Sequence, residues 1–274
     1  MNRSSRRYSA VTALALVSTL AFPALAATGG FDPSQSDEKA VQLADKVLKD
    51  IGAAAWEKVR YVRFRYSKVQ GDERREERTH YWDRASDRSR LETFTAKTRT
   101  PVVVVVDHKD KTGEVTLDGQ PLTGETADRY LSEAIKYFGD DALWLNTPFR
   151  LKEPGAQLRY EGEKVAGPLA YDMITARFEN SPDVRYRFYV NRNTGMIDSM
   201  AFVLKGRNVT PVAFDWVDWT DMSGMKFSLR KTQTGGEVDI VLDGIEVYQS
   251  LPEAVFTSAA PLDPSLVTRT ASGK

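Results

Sequence analysis

The sequence of 274 residues has no cysteine, only two histidines and no net charge, and each absence excludes a class of protein. Without cysteine there is no disulfide framework, no thiol nucleophile, no Cys-type zinc site and no thiol for a lipid anchor. Two histidines are too few for a three-histidine metal site, which leaves only mixed carboxylate sites. The 38 Lys+Arg are balanced by 38 Asp+Glu, which argues against an electrostatic nucleic-acid binder. We therefore expect no cofactor, no metal and no nucleic-acid partner.

The N-terminus has the three parts of a secretory signal peptide. Arginines at positions 3, 6 and 7 precede an apolar run, Ala10 to Phe22, and Ala24-Leu25-Ala26 supplies a small-x-small cleavage site. The run is too short to cross a bilayer as a permanent helix, and the alternative is a buried helix of the mature fold. We predict a signal peptide over 1–26, a single domain over 27–274 and a soluble periplasmic product with no transmembrane span.

The mature chain changes from helical to strand periodicity. Apolar residues from Ala40 to Ile51 recur every three or four positions after Ser36, the expected N-cap, which predicts a helix that Gly52 ends. A second helical stripe runs from Ala127 to Phe138 and is expected to stop at Gly139, followed by an apolar loop over 143–149. Nearly all the rest alternates with a period of two, which is typical of strands.

About ten consecutive strands with two or three helices predict an α+β fold. An antiparallel sheet of this length must close, split or be covered, because otherwise its apolar face stays wet. We predict a strongly curved antiparallel sheet, an open half-barrel, with two or three helices covering its concave face.

Catalytic signatures are absent, and the charged clusters have ordinary interpretations. His80, or His108 with Asp107 before it, leaves a hydrolase as a formal alternative. The aspartates at 215, 218 and 221 are expected to be solvent-facing, because their spacing alternates faces on a strand. The pair Asp140-Asp141 is interpreted as surface charge. Six arginines at 74, 75, 78, 84, 88 and 90 are interleaved with acids, which indicates a solvated hairpin face rather than a patch for anionic headgroups.

The strands carry more aromatic bulk on one face than most sheets need. This bulk has two interpretations: an ordinary packed interior, or the lining of an apolar hollow between sheet and helices. The residues predicted to line the hollow are Phe64, Tyr66, Trp82, Phe94, Phe138, Trp144, Phe149, Tyr186, Phe188, Phe202, Phe214, Trp216 and Phe227.

Three stretches resemble a known superfamily. They are the strand–turn–strand Tyr189-Val190-Asn191-Arg192-Asn193-Thr194-Gly195-Met196-Ile197, the closing strand Val238 to Val247 with the tail Leu251-Pro252-Glu253-Ala254-Val255-Phe256, and Trp144-Leu145, Pro148-Phe149 and Leu151 with Tyr160-Glu161-Gly162. Together with the element order they resemble the periplasmic lipoprotein-carrier superfamily (LolA, LolB and RseB-like proteins), in a branch labelled outer-membrane lipoprotein-sorting proteins. The resemblance implies a half-barrel lidded by helices that holds acyl chains and catalyses no reaction.

We therefore expect a non-enzymatic carrier whose partner is a lipid or an acylated protein. The first alternative is an envelope sensor or assembly partner that binds another protein through the same fold. The second alternative is the hydrolase that would use the histidines.

Overall fold

A computed structural model describes residues 30–204 and 211–262. The predicted signal peptide, residues 1–26, lies outside the described residues. Among those residues no helix is both long enough and apolar enough to span a bilayer.

Thirteen strands form one antiparallel sheet that does not close. They are β1 (Tyr61–Gln70), β2 (Glu73–Asp83), β3 (Arg88–Phe94), β4 (Pro101–Asp107), β5 (Thr112–Leu117), β6 (Gln120–Pro121), β7 (Gln157–Ala166), β8 (Leu169–Arg177), β9 (Val184–Asn191), β10 (Ile197–Leu204), β11 (Val212–Met222), β12 (Met225–Gln233) and β13 (Val238–Tyr248). Their order is β6-β5-β4-β3-β2-β1-β13-β12-β11-β10-β9-β8-β7. The first and last strands of the chain therefore meet in the middle, and β6 and β7 are the two edges.

Two long helices cover one face of this curved sheet, which we call the inner face. The helices are α1 (Glu38–Asp50), α2 (Ala53–Trp56), α3 (Gly124–Asn146) and α4 (Ala254–Thr257), with 3-10 turns at Pro33–Gln35 and Thr147–Arg150. Helix α3 packs on β4 and β5, and α1 packs against β7, while α3 with its 3-10 turn also connects the two edge strands. The predicted α+β class, an open antiparallel sheet with helices on one face, is confirmed.

Helix α1 begins one residue later than a Ser36 cap requires. Its N-cap is Asp37, and the Ser36 hydroxyl instead accepts the backbone N–H of Leu158 at 2.9 Å, while Asp37 accepts that of Tyr160. The two side chains thus accept hydrogen bonds from backbone N–H groups on the outer side of the edge strand β7, the side on which the described sheet has no further strand. The helix ends at Asp50, and Gly52 follows its C-cap Ile51. The φ of 78° at Gly52 favours glycine, and a Cβ there would collide with the Gly224 carbonyl.

Helix α3 continues past Gly139, so the predicted stop and the predicted apolar loop over 143–149 are both wrong. A glycine inside a helix costs about 1 kcal/mol relative to alanine. The turns that follow it bury Ala142, Leu143, Trp144 and Leu145, each at most 7% exposed. Because burying one such side chain stabilises by about 1.5–3 kcal/mol, packing outweighs the cost of the glycine.

The C-terminal tail covers the opposite, outer face of the central strands. Tyr61 and Tyr81 pack there with Val255 and Phe256 of the tail. Arg90, fully buried, donates to the carbonyls of residues 258 and 260 at 2.8 and 2.9 Å. Strand β4 therefore has an apolar face under α3 and another under the tail, which explains why it is a run of valines.

Candidate functional site: the aromatic interior and its buried charges

Most of the predicted hollow residues lie together on the inner face. Phe149 is half-buried against the others, and eleven more are buried in one continuous set of apolar side chains, which we call the interior cluster. Its aromatic members from that prediction are Phe64, Tyr66, Trp82, Phe138, Trp144, Tyr186, Phe188, Phe202, Phe214, Trp216 and Phe227. They come from six strands and α3, so the cluster runs across both halves of the sheet.

The interior cluster is held by ring contacts between helix and sheet. Trp144 of α3 meets Phe202 and Phe214 edge-on, with ring centroids 5.5 and 4.7 Å apart. Trp56 of α2 stacks on Phe149 at 5.0 Å and meets Phe227 edge-on. Edge-on and offset pairs of this kind add about 0.5–1.5 kcal/mol each beyond the area they bury. In this structure the predicted lining residues therefore pack on one another.

Phe94 is not part of the interior cluster. It is the last residue of β3 and alternates with the inward-facing Leu91, so its side chain falls on the outer face and is 40% exposed. The guanidinium of Arg99 lies over its ring at 4.3 Å. Counting strand parity from Leu91 predicts this orientation.

A buried charged cluster lies at one side of the interior cluster and joins α3 to β2. Asp141 accepts two hydrogen bonds from Arg78, at 2.6 and 2.8 Å, and its Oδ2 lies 2.8 Å from Nε2 of His80. All three are at most 6% exposed. Arg78 also contacts Glu76 at 2.6 Å, and its guanidinium stacks on the ring of Tyr66. The bidentate contact between Arg78 and Asp141 is the strongest form of arginine–carboxylate pairing.

The environment fixes the charge states in this cluster. Burial alone would raise the pKa of Asp141, but the Arg78 guanidinium and the His80 hydrogen bond hold it below its usual value. Burial lowers the pKa of His80 despite Asp141, so the ring is neutral and donates its Nε2–H to the carboxylate. Burial, and then the charge of Asp141, raises the pKa of neighbouring Asp140 to about 7.

The histidines do not form the triad that the hydrolase alternative needs. His80 bonds Asp141 rather than Asp107, whose Oδ1 accepts backbone N–H groups of the turn that follows it. His108 bonds the hydroxyl of Ser89 at 2.7 Å, and Ser89 is 1% exposed. Within 30–204 and 211–262 His108 has no carboxylate hydrogen bond. Burial, and then His80, lowers the pKa of His108 to about 4.

Another buried basic residue, Lys231, has no carboxylate partner among the described residues. Lys231 of β12 is 0% exposed, and its Nζ donates to the Ser228 carbonyl at 2.5 Å and stands 4.8 Å over the Trp216 ring. Burial lowers its pKa well below the usual lysine value. The indole Nε1–H of Trp216 is also buried without a hydrogen-bond partner.

Sequence reasoning missed these buried charges. The hairpin face is solvated at Arg74 and Arg75, as predicted, but Arg78 and Arg90 are buried, and Asp141 is not a surface charge. The available signal was parity: Arg78 shares the face of His80 and Trp82 on β2. The described part of the chain has no cluster of three His, Cys, Asp or Glu side chains placed to hold a metal ion.

A surface depression of about 390 Å³ lies over strands β7, β8 and β9. Arg159, Arg177 and Arg185, from β7, β8 and β9, are among its lining residues, and all three are exposed. No predicted hollow residue lines it, and we assign it no role.

The fold and interior together define an open curved sheet whose aromatic inner face is covered by two helices. No protein-family model and no curated protein matches the sequence. Among solved structures, the chain is similar to a LolA superfamily protein from Nitrosomonas europaea, at 12% identity and a TM-score of 0.49, covering 80% of this chain and 97% of that one.

Two further solved structures are similar at lower scores. A DUF1329 family protein from Desulfovibrio piger has 11% identity and a TM-score of 0.47, with 84% of this chain and 100% of that one covered. An outer membrane lipoprotein-sorting protein domain from Vibrio parahaemolyticus has 10% identity and a TM-score of 0.42, with 80% and 96% covered. The superfamily that the sequence resembles is thus represented among the matched structures.

Proposed function

We propose that this protein is a non-enzymatic carrier or binding protein that holds the apolar chain of an amphiphile, a lipid or a lipoprotein acyl chain, between the inner face and helices α1 and α3. The observation that carries the proposal is the interior cluster, in which aromatic rings from both halves of the sheet form one continuous apolar surface. A sixteen-carbon chain buried there gains roughly 12 kcal/mol at about 0.8 kcal/mol per CH₂. Rings now packed on rings would pack on the chain instead, so much of the apolar contact is retained.

Helix α3 is the element that can uncover this surface. Its C-terminal turns, which carry Trp144, contact β10 and β11 through apolar rings. Covalently, the helix joins the sheet only at its own ends, because it connects β6 to β7. Movement of these turns would expose the inner face without breaking any strand pairing.

The test is binding of a fluorescent fatty acid, with native mass spectrometry and lipid extraction of the purified protein. Phe188→Ala removes an inner ring of β9, and we expect it to weaken probe binding. Tyr189→Ala is the matched control, because Tyr189 lies on the same strand and faces outward against Tyr171. Absence of any bound amphiphile, together with no probe binding by the unsubstituted protein, would refute the proposal.

A protein partner is the second candidate, and the part of the β7 edge that follows Tyr160 favours it. Val165 is 75% exposed and Leu169 is 37% exposed at the tip of the β7–β8 hairpin. An unpaired edge strand with apolar side chains can accept a strand from another chain. A stoichiometric partner captured without lipid, and lost in a Val165→Lys variant, would support this candidate over the carrier.

We further propose that the chain acts in the periplasm as one domain over 27–274 after cleavage behind Ala26. The support is the order of cationic leader, apolar run and small-residue site in the sequence. N-terminal sequencing of protein from the periplasmic fraction tests it. A mature protein that still begins at Met1 would contradict it.

A further inference from the structure

A buried amine, Lys231, lies against the interior cluster and has no acidic partner among the described residues. A buried ammonium group needs a partner, because removing an unpaired charge from water costs several kcal/mol or forces the group to lose its proton. Arg78 has such a partner in Asp141. Lys231 has no ion pair within the described residues, and burial is the sole cause of its lowered pKa.

The sequence leaves little from which a hidden partner could come. The internal segment outside the description, 205–210, contains no aspartate or glutamate, and neither does 1–29. Of the acids in the chain, only Asp263 lies outside the described residues. The described residues that pair with Lys231 across the sheet, Trp216 and Ile240, are both apolar.

Lys231 and Trp216 place two hydrogen-bond donors side by side on adjacent strands. Lys231 is paired across the strands with Trp216 on one side and Ile240 on the other, both members of the interior cluster. Its Nζ stands over the Trp216 ring, and the Nε1–H of that ring has no acceptor in the described part of the chain. An ammonium and an indole N–H on adjacent strands suit an anionic oxygen, which can accept from both.

We propose that the amphiphile held by this protein carries an anionic head, a carboxylate or a phosphate, which Lys231 binds as a buried ion pair with the Trp216 N–H as second donor. This inference rests on the proposed function and specifies the ligand class for the same interior. Burial lowers the pKa of Lys231 when no ligand is bound. An anionic head beside the amine would raise that pKa again, so that charge enters the interior as a compensated pair.

The experiment compares amphiphiles that have different head groups on an alkyl chain of the same length. Hexadecanoate, hexadecyl phosphate and methyl hexadecanoate are titrated into delipidated full-length protein. We expect at least one acidic probe to bind about tenfold or more tightly than the ester, since truncating one side of a desolvated charge pair has large effects on affinity. Which acid binds better identifies the head.

Variants separate the charge from the apolar site. Lys231→Met should remove the preference for acids while changing ester affinity less than about twofold, because the methionine stem keeps the packing. Lys226→Met, on the same strand, is the control and should keep the preference. Trp216→Phe, which removes the indole donor together with part of the apolar lining, should reduce the affinity for acids by a larger factor than the affinity for the ester.

Folding and protonation give independent readouts. Lys231→Met should melt at a higher temperature than the unsubstituted apoprotein, because the unpaired amine is gone. The ¹³Cε resonance of Lys231 should show a neutral amine without ligand and an ammonium with acid. Equal binding of acid and ester, or an acid preference that survives Lys231→Met, overturns this inference alone. Binding of no probe at all overturns the proposed function and this inference with it.

Discussion

The buried contact between Asp141 and Arg78 predicts that Asp141→Asn destabilises the folded protein. In Asp141→Asn the side-chain shape is kept but the charge is lost, and the new amide N–H₂ faces either the guanidinium or His80. Arg78, 6% exposed, would then be buried without its main partner. Removing one member of a buried ion pair costs about 3–5 kcal/mol.

Because Glu76 is a second carboxylate partner of Arg78, we expect the loss of stability to fall at the lower end of that range. Glu76 contacts Arg78 at 2.6 Å and is 39% exposed, so it retains part of the compensation. We expect a loss of about 3 kcal/mol in the free energy of unfolding at pH 7. For a domain of this size, about 2–4 °C per kcal/mol gives a decrease in Tm of roughly 6–12 °C.

Urea denaturation followed by tryptophan fluorescence measures this loss. The double variant Arg78→Met/Asp141→Leu should recover most of it, since both charges are then absent and apolar groups of similar volume replace them. A loss below about 1 kcal/mol for Asp141→Asn, or a double variant that is less stable than the single one, would refute the reasoning.

The neighbouring carboxylate, Asp140, is the matched control, because its replacement by asparagine is expected to stabilise the protein at high pH and not to destabilise it. The pKa of Asp140 is about 7 in the folded protein against an ordinary value of 3.8. The folded state thus holds this proton more tightly than the unfolded state, and the stability it contributes below pH 4 is lost as pH rises through 7. Asp140→Asn should therefore stabilise the protein at pH 8 by about 2 kcal/mol, roughly half the full linkage value because the group is partly solvated. A destabilised variant at pH 8 would contradict this.

Three further predictions concern other parts of the fold. The pKa of His108 is about 4, below the ordinary 6.5, so the stability that its neutral ring contributes is present above pH 6.5 and is lost as the pH falls through 4. In melts between pH 7 and pH 4, His108→Gln should therefore lose about 2 kcal/mol less stability than the unsubstituted protein. Phe256→Ala should cost about 3–5 kcal/mol in urea titrations because it opens the outer-face cluster, and a loss under 1 kcal/mol would mean that the tail does not support the sheet. Gly52→Ala should cost more than about 1 kcal/mol, from its φ of 78° and the nearby Gly224 carbonyl, whereas the open Gly71→Ala should cost less.

Alternation along the strands was enough to predict the sheet and most of its inner face. Tyr186 and Phe188 alternate with Arg185 and Arg187, and such a pattern assigns one set of side chains to the core without any tertiary information. Phe94 does not follow the prediction because aromatic character alone does not place a side chain on the inner face, whereas its position three residues after the inward-facing Leu91 places it on the outer face.

The charged part of the interior could not be predicted in the same way. Whether Arg78 is buried depends on a carboxylate 63 positions later in the chain, and that carboxylate reaches it only because α3 continues past Gly139. A single sequence gives the local preference of Gly139 but not the packing energy of the turns after it. Lys231 is harder still, since the described chain offers no partner of opposite charge.

The position of Asp141 decides which part of α3 can leave the sheet at low cost. The ion pair fixes α3 to β2 at a point five residues before the end of the helix, and the turns before it pack on β4 and β5. From Ala142 to Asn146 the helix carries no charged residue, and Trp144 meets β10 and β11 only through ring contacts. Separating apolar surfaces to admit an apolar chain replaces one set of contacts with another, whereas breaking a buried ion pair leaves two uncompensated charges. We therefore expect Asp141→Asn to lower stability while leaving amphiphile affinity within about threefold, because the segment that moves lies beyond the residue that is fixed.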